Sequence, residues 1–263
     1  MTADPAVERR LARRSPVLFR LFALYLRWYV GRRFHAVRLS RTGVPHVPAG
    51  PVIVYSNHPS WWDPTLYILL CDMLFHGRAG YGPMDQVALG KYGLLERMGV
   101  FGVAQNDRRG GVQFLRTCTA ALARPGGMLW ITAEGAFTDP RVRPVTLRPG
   151  LAHLARHIPG ATIIPLAIDY PFWNESRPEA LLRFGEPLYS GREGSVADWT
   201  ARLEFALTDT MDTLAAESVT RNPALFTPLL HGMAGVGGLY DLWRRLCAAA
   251  IGRRFDPSHG GEG

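Results

Sequence analysis

Lysine is almost absent from this chain: Lys91 stands alone among 30 basic residues, so arginine carries nearly all the positive charge. That bias follows genomic base composition and has no functional weight. Cysteine is scarce as well. Cys71, Cys118 and Cys247 share no close spacing, which argues against a disulfide scaffold and a thiolate zinc site and favours a reducing, cytoplasm-facing location. Long uninterrupted apolar runs are missing, because arginines break the longest ones. No segment therefore reads as a spanning helix of roughly 20 apolar residues, and no small-residue cleavage site follows the N-terminal apolar run, which argues against a signal peptide.

Several familiar active-site signatures are also missing. No serine lies in a G-x-S-x-G elbow. Gly90-Lys91 is followed by Tyr92 and lacks the earlier glycine of a phosphate loop. His153 and His157 stand four apart, but Leu154 occupies the place of a zinc protease's glutamate and no third ligand follows, so the pair reads as a helix-face coincidence. What is present, 47% apolar residues in 263, suffices for one large domain or two small ones with a sizeable core.

The charge is unevenly placed. Residues 1–41 hold ten arginines against only Asp4 and Glu8, whereas the rest of the chain balances to zero, so the whole net charge of +8 belongs to this arm. Within it, Val17 to Val30 is rich in leucine and aromatics, with Arg20 and Arg27 seven apart on one helical face. Such a helix suits a membrane interface, its apolar side chains in the acyl boundary and its arginines at lipid phosphates. The alternative is an ordinary helix packed on the domain with a solvated arginine stripe. Nucleic acid is not expected as a partner, since no aromatic–basic interleaving continues into the folded region.

Beyond the arm, short apolar strands are expected at 52–55, 100–103, 128–132, 163–168 and 181–184, and helices at about 65–75, 89–98, 112–123, 150–157 and 196–217, with a further apolar segment at 239–251. Pro165 places its strand at a sheet edge or a bulge. Strands alternating with helices predict an α/β layered fold with a mixed, mostly parallel sheet flanked by helices, plus the N-terminal amphipathic helix.

The chemistry-bearing stretch is Asn57-His58-Pro59-Ser60-Trp61-Trp62-Asp63, directly after the first of these strands. Histidine titrates near neutrality and can take a proton from a hydroxyl and return it. A carboxylate five residues on can reach its second ring nitrogen if the chain turns, fixing the tautomer and stabilising the imidazolium. The bland reading makes Asp63, with Pro64 behind it, a helix cap and His58 a turn residue. Trp61 and Trp62 either line an acyl path or simply pack.

Ordered blocks over residues 40–190 resemble the lysophospholipid or glycerolipid acyltransferase family, typified by 1-acylglycerol-3-phosphate acyltransferases. Asn57-His58 through Asp63 matches the family's N-H-x4-D block. Gly99 to Val103 with Asp107-Arg108 resembles the second, with extra residues before the arginine. Glu134-Gly135-Ala136-Phe137-Thr138 stands where the family has E-G-T-R-S, and Ile164-Pro165-Leu166 matches the fourth. The resemblance implies His58 as general base, Asp63 as its orienting acid, and Asn57, Arg108, Glu134 and Gly135 on the acceptor side. Phe137 replaces the family's phosphate-holding arginine and cannot supply bidentate hydrogen bonds. Either Arg141, Arg143 or Arg148 takes that role, or the acceptor carries no phosphate.

The implied activity moves a fatty acyl group from acyl-CoA or acyl carrier protein to a lipid hydroxyl at an anionic membrane surface, on its cytoplasmic face and as a peripheral or monotopic protein. No cofactor is implied beyond that acyl co-substrate. A non-catalytic lipid binder of the same fold and an acyl-thioester hydrolase remain as alternatives. The expected organisation is a membrane-surface arm over 1–44, a catalytic domain over 45–220 and a helical tail over 221–263.

Overall fold

The computed structural model describes residues 4–45, 49–104 and 108–234; the segment expected to be helical at 239–251, and Cys247 within it, lie outside the described residues. The strands are β1 (Ala36–Ser40), β2 (Val52–Ser56), β3 (Ala79–Asp85), β4 (Val100–Val103), β5 (Gly127–Thr132), β6 (Thr162–Asp169), β7 (Glu179–Phe184), β8 (Leu188–Tyr189) and β9 (Phe226–His231). They form one sheet in the order β4-β3-β5-β2-β6-β7-β1-β9, with β8 added beside β6. Pairings from β4 through to β6 are parallel, β7 and β1 form a second parallel pair, and β6–β7 and β1–β9 are antiparallel. The expected mixed, mostly parallel sheet is thus what the chain builds.

Helices cover both faces: α1 (Pro5–Leu11), α2 (Pro16–Arg33), α3 (Asp63–Leu74), α4 (Gln86–Gly90), α5 (Arg108–Leu122), α6 (Gly150–His157) and α7 (Val196–Val219). Strand side chains alternate between the two cores, as the pleat requires. Ile53 and Tyr55 face the layer of α5, α6 and α7, while Val52 and Val54 face that of α2 and α3. A strand buried on both sides has no polar face, which is why β2 reads as a continuous apolar run.

The arm and the tail are less separate from the domain than expected. Each contributes a strand, β1 from 1–44 and β9 from 221–263, and β1 runs between β7 and β9. Arg38 of β1 does not join the solvated charge of the arm. Its Nε donates to Glu179 Oε2 at 2.9 Å, and His35 Nδ1 lies 2.6 Å from Oε1 of the same buried carboxylate.

Two further expectations change. The helix anticipated over 89–98 is instead short α4 followed by a 3₁₀ turn at Gly93–Met98. Pro165 is neither at an edge nor in a bulge, since β6 lies between β2 and β7. Its missing N–H falls between the two antiparallel partners of β6, β8 at Thr162 and Ile163 and β7 from Leu166 onward, while its carbonyl still accepts from the Gly185 N–H at 3.0 Å.

Helix α2 is apolar on two opposite sides. Phe19, Ala23, Leu26 and Val30 recur at helical spacing and are buried on the domain. Val17, Leu21, Leu24 and Trp28 repeat the same spacing two residues out of phase, about 200° around the helix, and are exposed. Of the two arginines expected on one face, Arg20 is exposed and Arg27 binds Asp72 of α3 at 2.6 Å. Among the described residues, no helix is long and apolar enough to cross a membrane.

Candidate active site

Three adjacent strands, β5, β2 and β6, end side by side, and the candidate residues project from their C-terminal ends, where parallel α/β sheets place ligand sites. Asn57 leaves β2 and turns inward. Its Nδ2 donates to the Ile168 carbonyl and its Oδ1 accepts from the Ile168 N–H, both at 2.9 Å. Buried, with both amide atoms engaged on Ile168, Asn57 ties the β2 and β6 ends together; the resemblance placed it on the acceptor side.

Past this clamp the chain turns through Pro59 and Ser60 and brings His58 Nδ1 to 2.6 Å from Asp63 Oδ2. Asp63 is fully buried. It is the first residue of α3, yet its carboxylate bonds no helical N–H, so the capping role does not hold. It accepts instead from the Ser60 N–H at 3.2 Å and from the Tyr170 hydroxyl at 2.7 Å on Oδ1. An ionised carboxylate only accepts, which assigns the proton to His58 Nδ1 and leaves Nε2 with a lone pair. The main chain of His58 is pinned too: its N–H donates to Glu134 Oε2 at 2.6 Å, and its carbonyl accepts from the Thr138 N–H at 3.0 Å.

Glu134 follows β5 and acts on the histidine's backbone. Burial pushes its carboxyl above the ordinary value, and the bond from the His58 N–H pulls partly the other way. A carboxyl raised on folding contributes stability below its unfolded value and loses it as pH rises through the folded one. Glu134→Gln keeps an oxygen for the His58 N–H and removes the titration. The melting temperature of the variant is therefore expected to gain on the wild type as pH rises from about 4 to 7; a constant difference across that range would show that the ionised carboxylate carries no penalty.

A cavity of about 840 Å³ opens beside the dyad. Phe19, Ile68, Met98, Phe114 and Leu151 contribute apolar wall, and His58 and Arg148 are also in the lining. Gly80 of β3 is part of that wall, and a Cβ there would come within 2.9 Å of Cys71 Sγ and 3.3 Å of Trp130 Nε1. A base with an oriented tautomer beside an apolar space can activate a hydroxyl against a reactive carbonyl borne on a greasy chain.

The sequence profile described as Acyltransferase matches residues 38–169, half of the chain. The chain belongs to the acyltransferase family. Among solved structures it is similar to the crystal structure of PlsC, the 1-acyl-sn-glycerophosphate (LPA) acyltransferase from Thermotoga maritima, at 14% identity and a TM-score of 0.49, over 69% of this chain and 73% of that one. No curated protein matches the sequence.

The acyltransferase sorts its three candidate phosphate-holding arginines by what already occupies them. Arg141 makes a two-pronged bond to Asp139, at 2.8 and 2.6 Å. Arg143 binds Asp212 and the carbonyls of Pro140 and Val142. Neither lines the cavity. Arg148 does, and it crosses directly over Gly135: a Cβ there would fall 2.2 Å from Arg148 Nε, and φ is +72°. Gly135 is therefore required twice, by its left-handed backbone and by the guanidinium above it. Arg108 begins α5, and its side chain lies outside the described residues.

Phe137, in the place of the family's arginine, lies against His58 with ring centroids 4.4 Å apart. Trp62 packs between Tyr29 and Phe34, Trp61 is exposed beyond it, and neither lines the cavity, so these tryptophans form packing and surface and no acyl path. Sequence reasoning missed Tyr170. It lies 107 residues from Asp63, and no local spacing links the two.

Proposed function

We propose that this acyltransferase moves a fatty acyl group from a thioester carrier, coenzyme A or acyl carrier protein, to the hydroxyl of a phosphate-bearing lysolipid at the cytoplasmic face of an anionic membrane. The observation that carries the proposal is the Asp63-oriented imidazole at an apolar cavity large enough for an acyl chain. His58 Nε2 takes the acceptor's proton as its oxygen attacks the thioester carbon. The tetrahedral adduct then expels the carrier's thiolate, which recovers the proton from the imidazolium, so no net proton is consumed. Asp63 stays ionised throughout and stabilises the transient charge. The acyl carrier is a co-substrate, and the scheme needs no further cofactor.

Arg148 supports a phosphate on the acceptor, because it is the candidate arginine that lines the cavity and no described carboxylate pairs with it. The outward stripe of α2, with exposed Arg20, Arg32 and Arg33 beside it, supports the membrane. Arg32 stacks over Trp28 at 4.5 Å, an apolar body with a cationic tip of the kind that suits the headgroup layer.

The deciding measurement is labelled acyl-CoA incubated with vesicles carrying phosphorylated or neutral lysolipids. Transfer to the phosphorylated acceptor is expected. Free fatty acid released with no acceptor would make the protein a thioester hydrolase, and no consumption would make it a lipid binder. In the same assay Arg148→Met is expected to raise KM for the phosphorylated acceptor roughly 10- to 100-fold with kcat little changed, the value of a hydrogen-bonded charge pair. An unchanged KM would remove the phosphate from the proposal.

A further inference from the structure

Tyr170 holds the one Asp63 oxygen that the dyad and its loop leave open. Oδ2 carries the His58 and Ser60 N–H groups, and Oδ1 carries the Tyr170 hydroxyl at 2.7 Å. The tyrosine is fixed from both ends: Ile168, two residues earlier, is clamped by Asn57, and the Tyr170 ring packs on Phe34 at 5.7 Å. We propose that Tyr170 is a positioning residue that tunes the basicity of His58 through Asp63, which deepens the assignment of His58 as the base.

A buried carboxylate with the imidazole as its chief donor concentrates its charge there and holds the ring as imidazolium, which has no lone pair at Nε2 to take a proton. Each additional donor disperses that charge and releases the ring toward its neutral form. The other titratable groups around the pair are Glu134 beyond β5, bonded to the His58 main chain, Tyr67 of α3, Arg148 of the cavity wall and Asp169 beside Tyr170. Among the described residues, no other hydrogen bond reaches Asp63 Oδ1. Burial and the nearby Asp63 push the phenol well above its ordinary value, so it keeps its proton and donates.

Tyr170→Phe removes the hydroxyl and keeps the ring. The acid limb of kcat/KM is expected to move up by about one pH unit, with turnover up to about tenfold lower on the acid side of the profile and recovering at pH 9, and with both KM values unchanged. A loss independent of pH, or no loss, would overturn the proposal. A readout independent of turnover separates this from the acyltransfer assignment: the NMR titration of the His58 ring proton, assigned by its disappearance in His58→Ala, is expected to shift by the same amount. If that shift occurs in a protein that transfers no acyl group, the tuning stands and the acyltransfer reading falls; an unmoved midpoint sinks the tuning alone. Should the phenylalanine variant not fold, a fluorinated tyrosine at position 170, a stronger donor, is expected to move the midpoint down, and an unmoved or raised midpoint would overturn the proposal.

Discussion

His58→Ala is expected to lower acyl transfer by about 10²- to 10⁴-fold, the range that a positioned general base supplies. The substitution removes the imidazole and leaves the main-chain bonds to Glu134 and Thr138 available, so the turn after β2 keeps its path. Asp63 loses one of three donors and retains those from Ser60 and Tyr170, a cost of about 1–3 kcal/mol for a buried carboxylate. The melting temperature should therefore fall by several degrees while the circular dichroism spectrum remains that of the wild type. Asp63→Asn provides the companion test, because an amide can present the wrong partner to Nδ1 and favour the wrong tautomer. Turnover of purified His58→Ala within tenfold of the wild type would take the histidine out of the chemistry.

Replacing Leu21, Leu24 and Trp28 together with serine is expected to weaken binding to anionic vesicles by about 100-fold or more. Each of these side chains is exposed, so folding loses little when they change. At roughly 25 cal/mol per Å² of apolar area moved out of water, three large side chains contribute several kcal/mol to membrane partition. Replacing Arg20, Arg32 and Arg33 with glutamine should instead weaken binding to anionic vesicles more than to neutral ones, since the arginines act on lipid charge. Vesicle flotation distinguishes the two terms. Unchanged binding of both variants to both lipids would leave α2 with the packing role of its Phe19, Ala23, Leu26 and Val30 stripe alone.

Where the sequence was read well, the signal was local. Strand β4 and helix α6 lie at their expected positions, because an apolar run or a 3.6-residue repeat closed by glycine or proline is visible within one window. Strand β3 was missed because Ala79-Gly80-Tyr81-Gly82-Pro83 has the composition of a turn; Gly80 is there because the cavity wall has no room for a side chain. Strand β1 was hidden by the arginines around it. The carboxylate that neutralises Arg38 comes from Glu179, 141 residues away.

The amino-acid sequence alone determined the alternating strands and helices, the placement of all the net charge in the first 41 residues, and a histidine and an aspartate close enough along the chain for one turn to join them. Tertiary structure decided the rest: that Asn57 is a clamp, that Arg148 and neither Arg141 nor Arg143 lines the cavity, that Tyr170 completes the shell of Asp63, and that α2 keeps a second apolar stripe facing outward. The physical reason is reach. Backbone periodicity and turns act over a few residues, whereas these pairings depend on β2, β5 and β6 ending side by side, which brings together residues more than 70 positions apart.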